Sequence, residues 1–263
     1  MWLDMNAYVG HWPFRKLNYN TCEALLGRMD QFGVDISVIS NLNGILYQNT
    51  QSANEELYET IQSKRMYGNR FIPFAVINPI YAGWKHDLEV CSNEMGMKGI
   101  RLYPKYHGYE LTNPSCIELV EMARDRDLPV AFSLRMADSR ASSWMDLQRG
   151  SEWSLRDIIP IIREVPDANY LILNIVGSTN LNDEDEKIFK KANVVMDTSG
   201  RGLRYLGDLM ARYGKDKFAF GTHSPILDYV TGGLRVESLR EDEADEETKE
   251  LIRHGNAERF LNI

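Results

Sequence analysis

Eight short β-rich segments alternate with longer amphipathic segments along the whole chain of 263 residues. Several β-rich segments, such as residues 71–77 and 171–173, are continuously apolar, which is typical of parallel strands buried on both faces. The predicted strands span residues 2–9, 36–42, 71–78, 99–103, 129–135, 170–176, 194–197 and 217–222. An alternation of this kind favours an α/β fold with a parallel sheet.

The segments between the strands carry helical signals. Residues 22–32 place apolar side chains three and four residues apart, and Asn113 with Pro114 forms an N-cap followed by a first-turn proline. The predicted helices span residues 22–32, 54–67, 84–95, 114–126, 155–165, 183–192, 203–213 and 246–260. Eight strand–helix units predict a single (β/α)8 TIM-type barrel domain over residues 1–263. A doubly wound sheet is the alternative, but no Gly-x-Gly-x-x-Gly motif follows the first strand.

Charge and composition exclude several classes of partner. The net charge of −8 argues against a nucleic-acid partner, because binding nucleic acid usually needs a basic face. No apolar stretch reaches the roughly 20 residues of a membrane span, and the three cysteines show no paired spacing. The acidic segment 241–247 is interpreted as a solvated surface. We expect a cytoplasmic protein that binds a small molecule, with a homo-oligomer as one option.

Histidines at the predicted mouth of the barrel are the first candidates for chemistry, because a barrel active site lies at the carboxyl ends of the strands. His223 ends the last strand and is the preferred general acid–base, with Asp197 or Asp138 to orient it. A histidine bonded only to backbone or water is the alternative interpretation. His86 and His254 fall on outer helices, where a surface role is expected.

Basic residues also collect at the predicted mouth of a chain that is acidic overall. Arg101 and Arg135 follow neighbouring strands and could together bind a carboxylate, with Arg15 close by. The alternative is that these arginines pair internally with Asp4, Asp138 or Asp197. Two further cations, Lys105 and Arg140, lie in the same region.

A metal site of displaced ligands is a separate hypothesis. His223 and His11 would meet in a closed barrel, with Asp4 as a carboxylate and His107 reaching across. No His-x-His or His-x-x-x-His spacing supports this site. No Gly-x-Ser-x-Gly motif occurs either, so a serine hydrolase is disfavoured.

Four segments resemble the amidohydrolase superfamily, in its amidohydrolase-related branch of metal-dependent hydrolases and decarboxylases. Residues 4–10 are similar to the opening strand, and residues 98–104 are similar to the fourth strand. The segment 220–225 resembles the Gly-Thr-Asp-x-Pro ending of strand eight, and 255–261 resembles the closing helix. The resemblance therefore covers the chain from first strand to last helix.

The departures from this family pattern concern the metal ligands. The positions that the resemblance assigns to ligands and to the catalytic aspartate hold Asn6, Tyr8, Ser133, Asn174 and His223. Asparagine and serine are weak neutral ligands. We therefore expect no cofactor, with zinc or another divalent metal as the alternative.

Three functions follow from these residues. The first is a hydrolase or lyase that acts on a small anionic substrate by metal-independent acid–base chemistry. The second is a non-catalytic barrel that binds a small molecule, and the third is a metal hydrolase with displaced ligands. The predicted catalytic residues are His223, Asp197 and Asp138. The predicted binding residues are Asn6, Tyr8, His11, Arg15, Arg101, Tyr106, His107, Arg135 and Asn174.

Overall fold

The computed structural model describes residues 1–133, 136, 154–174, 179–200 and 205–263. Three of the sequence-predicted mouth residues, Arg135, Asp138 and Arg140, lie outside these ranges. The strands in the described residues are β1 (Leu3–Val9), β2 (Ile36–Asn41), β3 (Phe71–Pro73), β4 (Ala75–Val76), β5 (Ile100–Leu102), β6 (Val130–Ser133), β7 (Asn169–Leu173), β8 (Asn193–Asp197) and β9 (Phe218–Ala219).

All strand pairs are parallel and follow chain order, as β1-β2-β3 and as β4 through β9. The predicted strand 71–78 is divided at Phe74, because the segment changes partner there. The Phe74 N–H donates to the Ile39 carbonyl, whereas the Ala75 N–H donates to the Gly99 carbonyl, both at 2.9 Å. Hydrogen bonds from Met5 N–H to the Phe220 carbonyl and from Tyr8 N–H to the Ser224 carbonyl join the other edge. The sheets thus follow the order of the predicted barrel.

Helices cover the outside of the strands, and the predicted N-cap at Asn113 is confirmed. Thr21 caps the first helix and Asn113 accepts a hydrogen bond from the Ser115 N–H. The predicted helix 54–67 is two helices. The α-helices are α1 (Cys22–Phe32), α2 (Gln51–Gln62), α3 (Arg65–Arg70), α4 (Trp84–Glu89), α5 (Pro104–His107), α6 (Pro114–Arg124), α7 (Ile159–Glu164), α8 (Asp183–Lys191), α9 (Leu206–Tyr213), α10 (Tyr229–Glu237), α11 (Glu246–Glu250) and α12 (Asn256–Leu261). The 3₁₀ segments are Leu42–Ile45, Leu155–Ile158 and Lys215–Lys217, and the π segments are Val90–Glu94 and Leu251–Gly255.

Strand side chains alternate between two apolar layers. On β5, Ile100 and Leu102 pack in the large cluster shared with the helices, so the intervening Arg101 points into the barrel. A second cluster, which includes Leu3 and Met5 of β1, fills the barrel interior. The interior is therefore packed with side chains up to the level at which Arg101 enters it.

An irregularity in β1 decides which of its polar residues face inward. The register between β1 and β2 shifts between Asp4 and Ala7. Met5 belongs to the interior cluster below the shift, while Tyr8 belongs to the interior side above it and Ala7 packs toward the helices. A bulge of this kind changes the parity of a strand. It therefore brings Asn6 into the barrel beside Tyr8, where simple alternation from Met5 would have turned it outward.

The expected solvated surface of the acidic segment is confirmed. The three cysteines, which show no paired spacing in the sequence, are buried free thiols. The acidic segment 241–247 is largely exposed, and Asp245 within it caps α11 by accepting a 2.8 Å hydrogen bond from the Thr248 N–H. Among the helices of the described residues, none has the length and apolar character needed to cross a membrane.

Candidate functional site

Four of the five positions that the resemblance assigns to the metal site meet around one imidazole. Nδ1 of His223 lies 3.1 Å from Nδ2 of Asn6 and 3.4 Å from the hydroxyl of Tyr8. On the other side of the ring, Nε2 lies 3.3 Å from Nδ2 of Asn174. The fifth position, Ser133, is buried at the end of β6. The fold therefore brings residues from β1 and from the ends of β7 and β9 into one polar cluster.

The orientation of Asn6 is fixed by two charged neighbours. Its Nδ2 donates to Oδ2 of Asp197 at 2.7 Å, and its Oδ1 accepts from Nη2 of Arg101 at 3.3 Å. A carboxylate can only accept and a guanidinium can only donate, so the amide cannot be reversed. Asn6 therefore presents N–H groups toward Asp197 and His223.

The imidazole of His223 has polar partners on both nitrogens. Nδ2 of Asn6 carries two hydrogens and lies near three acceptors, namely Oδ2 of Asp197, Oγ of Ser199 and Nδ1 of His223. On the other side, Nε2 of His223 lies 3.2 Å from the Met136 carbonyl and 3.3 Å from the Asn174 amide nitrogen. The ring is completely buried, and His223 itself has a left-handed backbone with φ of 56°. That turn directs the imidazole inward at the end of the last strand.

Asp197 was predicted to orient His223, and the structure places Asn6 between them. Oδ1 of Asp197 accepts a 2.6 Å hydrogen bond from the Asn174 N–H, so the carboxylate holds two of the residues around the imidazole. Burial raises the pKa of Asp197, while hydrogen bonds from Ser199, Asn6 and the Asn174 backbone oppose that shift. The orienting effect of Asp197 on His223 is therefore transmitted by an amide.

Arg101 lies inside the barrel next to Asn6 rather than at a solvent-facing mouth. Its side chain is 0% exposed, donates to the carbonyl of Ala7 at 3.3 Å, and stacks with Cζ 4.5 Å from the ring centre of Tyr8. Burial alone would lower the pKa of Arg101, but interactions with Tyr8, Tyr103 and Asp197 outweigh it and raise the pKa. The contacts of Arg101 are therefore internal, and the amide of Asn6 lies between its guanidinium and the carboxylate of Asp197.

Asp4 supports the cluster from beneath. Its Oδ1 accepts hydrogen bonds from the backbone N–H groups of Asn6 and Thr222, each at 2.9 Å, and its Oδ2 accepts from the Thr222 hydroxyl at 2.6 Å. These bonds hold the bulge of β1 against the residue that precedes His223. Burial raises the pKa of Asp4 to about 6, and the three hydrogen bonds oppose the shift.

Aromatic side chains close the cluster on the mouth side. Tyr8 packs with Trp12, Tyr103 and Met136, and Tyr106 lies against this group. His107 is largely buried, with Nε2 3.0 Å from the Gly44 carbonyl, and burial lowers its pKa to about 4. We call the aromatic group formed by Tyr8, Trp12, Tyr103 and Tyr106 the mouth cluster. Tyr8 of this cluster contacts the imidazole of His223 edge-on, with ring centres 5.1 Å apart.

Several sequence predictions about the mouth need correction. His11 is exposed beyond the end of β1, whereas His223 is fully buried, so the predicted pair of metal-binding histidines is not formed. Arg15 reaches back and donates to the Ile226 carbonyl. These residues lie on loops after the strands, where strand parity does not govern the direction of a side chain.

The residues in this cluster do not fit a divalent metal. Asn6 turns its amide N–H groups toward Asp197 and His223, and its side-chain oxygen accepts from Arg101, so Asn6 presents donors rather than a ligand oxygen to the centre of the cluster. Arg101 adds a fixed positive charge 3.3 Å from the Asn6 oxygen. Within the described ranges, no group of three or more His, Cys, Asp or Glu residues is arranged to hold a metal ion.

Two contributors to the site were missed by sequence reasoning. Met136 supplies both the carbonyl for His223 and a sulfur 3.4 Å from the Tyr8 hydroxyl, and no sequence signal marks it. Thr222 binds Asp4, and the signal that could have found it is its position directly before His223 at the end of a strand. The prediction that His254 lies on an outer helix is confirmed, and its ring contacts Glu250 and Glu258.

The fold has counterparts among solved structures. A 2,6-dihydroxybenzoate decarboxylase from Rhizobium superposes with a TM-score of 0.73 at 15% identity, covering 99% of this chain and 98% of that one. A 5-carboxyvanillate decarboxylase from Sphingomonas paucimobilis gives 0.72 at 14% identity, covering 100% and 99%. At such identities the likeness establishes the fold, and it confirms the predicted TIM-barrel class.

A third counterpart carries a metal. The dihydroxybenzoic acid decarboxylase from Polaromonas contains bound manganese and the inhibitor 2-nitroresorcinol; its TM-score is 0.73 at 15% identity, covering 99% of this chain and 96% of that one. A divalent metal therefore occurs in a protein of this fold, which agrees with the alternative of a divalent metal and not with the expectation of no cofactor. No curated protein matches the sequence.

The family assignment rests on the sequence of nearly the whole chain. The family model described as "Amidohydrolase" matches residues 23–263, from the first helix to the last residue. This match confirms the resemblance and the predicted hydrolase or lyase class. The chain belongs to the amidohydrolase family.

Proposed function

We propose that this protein is a hydrolase or lyase that acts on a small carboxylate and transfers protons with His223 rather than through a metal. The observation that carries the proposal is the Asp197–Asn6–His223 series, with hydrogen-bond distances of 2.7 and 3.1 Å. It supplies what a metal-free acid–base residue needs, namely a fixed ring position and a buried carboxylate that holds the positioning residue in place.

The substrate class is inferred from the charges and from the relatives. Arg15, Arg101 and Lys105 place positive charge at this end of the barrel, and a carboxylate would be attracted to it. One similar structure holds 2,6-dihydroxybenzoate, which is a small aromatic carboxylate. The mouth cluster would pack against the apolar part of such a molecule, and Arg135 and Asp138 remain proposed binding and orienting residues.

Proton transfer in this proposal uses Nδ1 of His223. Nδ1 lies 3.4 Å from the Tyr8 hydroxyl, and that hydroxyl belongs to the mouth cluster. Tyr8 can therefore pass a proton between Nδ1 and a substrate atom held above it. Asn6 and Asn174 position the ring, and Arg101 stabilises negative charge near Tyr8.

The experiment is a substrate screen on metal-stripped protein and on protein supplied with manganese or zinc. It includes aromatic carboxylates for loss of carbon dioxide and small lactones and amides for hydrolysis. We expect turnover without metal, and a loss of about 10²-fold or more in His223→Asn. The matched control is His86→Asn, because His86 is exposed on α4. Turnover that appears only with added metal would refute the metal-independent mechanism.

A non-catalytic binding barrel is the second candidate, and one observation favours it. The imidazole of His223 is completely buried and both of its nitrogens already have partners. A substrate could reach the imidazole only if residues that bury it moved. Tight binding of a carboxylate with no turnover under any metal condition would support this candidate over the enzyme.

A further inference from the structure

A pocket lies beside the polar cluster, at the rim of the barrel. It has a volume of about 270 Å³ and lies between the loop 15–19, helix α1 and the segment 224–229. The turn that forms one wall starts at His223, whose carbonyl accepts hydrogen bonds from the N–H groups of Ile226 and Leu227. His223 itself does not line the pocket. The pocket is therefore distinct from the candidate active site, although one turn connects the two.

Positive charge dominates the walls of this rim pocket. Arg15, Lys16 and Arg28 line it, and among its described lining residues the opposing carboxylate is Asp228. That carboxylate is already used as a helix cap, because Oδ1 of Asp228 accepts from the Val230 N–H at 2.9 Å. In a chain with a net charge of −8, three basic side chains around one small pocket indicate an anion.

Arg28 is held in place by aromatic stacking. Its Cζ lies 4.9 Å from the ring centre of Tyr19 and 4.5 Å from that of Phe32, and Nη1 donates to Gln31 at 2.7 Å. Phe32 in turn stacks on Tyr229. A guanidinium that is already oriented loses little side-chain entropy when it binds a ligand.

Apolar residues also line the pocket. Leu17, Ile226 and Tyr229 are among them and are largely buried. The volume lies just below the range of about 300–1,000 Å³ typical of sites for drug-sized ligands. Basic and apolar lining residues in a pocket of this size suit an anion with a compact apolar body.

We propose that this rim pocket binds a small organic carboxylate, with Lys16 and Arg28 as the charged contacts and Leu17, Ile226 and Tyr229 against its apolar part. The inference does not depend on the proposed catalytic role of His223. It places an anion site on the turn that positions His223, so that occupancy would restrain this turn.

Calorimetric titration with benzoate tests the proposal on the full chain, with benzamide and inorganic phosphate as comparison ligands. Benzamide keeps the ring and removes the charge, whereas phosphate keeps the charge and removes the ring. We expect benzoate to bind at least about tenfold more tightly than either, and binding to weaken as salt is raised. Phosphate binding as tight as benzoate would overturn the organic-carboxylate assignment.

The variants separate the rim pocket from the active site. We expect Lys16→Gln and Arg28→Gln each to weaken benzoate binding about fivefold or more, and Arg28→Lys to weaken it less because the charge is kept. Lys85→Gln is the matched control, since Lys85 is paired with Glu118 outside the pocket. Thermal unfolding confirms that each variant is folded.

Two results would overturn the proposal. Unchanged benzoate affinity in both Lys16→Gln and Arg28→Gln would place the ligand elsewhere. Loss of binding in His223→Asn with no loss in the two rim variants would place it in the central site. Benzoate binding that persists in His223→Asn and fails in the rim variants supports the rim pocket, whatever the catalytic screen returns.

Discussion

The side-chain amide of Asn6 donates a 2.7 Å hydrogen bond to the carboxylate of Asp197, a residue 191 positions away in the chain. Both groups are completely buried, so the pair replaces the hydration that each would have in water. The pair also links β1 to β8 across the barrel interior. Its geometry is the basis of the first two predictions.

Replacing Asn6 by Asp should destabilise the protein strongly at neutral pH. The change removes a buried donor and sets two carboxylates against each other, and breaking a buried pair of this kind costs about 3–5 kcal/mol. Urea unfolding at pH 7 measures the effect. Asn93→Asp, at an exposed position, is the control and should change stability by less than about 0.5 kcal/mol. Equal stability of the two variants would contradict the prediction.

Replacing Gly221 by Ala should displace Asp197. A Cβ at Gly221 would lie 2.5 Å from Oδ2 and 2.8 Å from Cβ of Asp197, which is closer than the atoms can approach. We expect a loss of about 1–3 kcal/mol in the free energy of unfolding. The control is Gly27→Ala on α1, where nothing lies within 4 Å of the new atom and stability should rise by up to about 1 kcal/mol. A stable Gly221→Ala variant would show that Asp197 is free to move.

Asp4 should make the native state less stable as pH rises. Its pKa is raised from 3.8 to about 6 by burial, so the folded protein holds the proton more tightly than the unfolded chain. The stability gained from this proton is fully present below about pH 3.8 and is lost as pH rises through about 6. Urea unfolding at several pH values between 4 and 7, compared between wild type and Asp4→Asn, checks the effect.

Asn fits at position 4 because its Oδ1 can still accept the two hydrogen bonds from the backbone N–H groups of Asn6 and Thr222. The new amide nitrogen can donate to the Thr222 hydroxyl, which now accepts. We therefore expect a folded variant with a smaller fall in stability between pH 5 and 7. An unchanged pH slope in Asp4→Asn would assign the titration to another group, such as Asp197.

His107 should have the opposite pH dependence. Burial lowers its pKa to about 4, so the ring stays neutral in the folded protein at pH values where the unfolded chain takes up a proton. The stability that it contributes is present above about pH 6.5 and is lost as pH falls through about 4. NMR titration of the imidazole signals measures the pKa directly. His107→Gln, which keeps a donor for the Gly44 carbonyl, should lose this part of the pH slope; a His107 pKa near 6.5 would refute the prediction.

The fold could be predicted because strand and helix periodicity are local properties. The ends of α1 and the cap at Asn113 agree with the prediction, since each depends on a few adjacent residues. The division of the third strand at Phe74 could not be predicted, because it reflects a change of pairing partner. That residues 1–263 form a single domain stays a prediction.

The site was less predictable than the fold for a physical reason. The sequence identified Asn6, Asp197 and His223 as mouth residues, but their contacts depend on the bulge in β1, and no single-strand pattern reveals it. The same limit applies to Arg101, where the sequence left capture of an anion and internal pairing open. Side-chain direction across a barrel is set by all the strands together.

Arg101 supplies positive charge inside this barrel from a side chain. A guanidinium is made with the polypeptide, so it cannot be chelated, exchanged for a competing ion or lost when cellular metal is scarce. Its position beside Asn6 and Tyr8 therefore gives the interior a positive group that is part of the polypeptide and needs no bound ion. The same permanence means that the charge cannot be switched by metal supply.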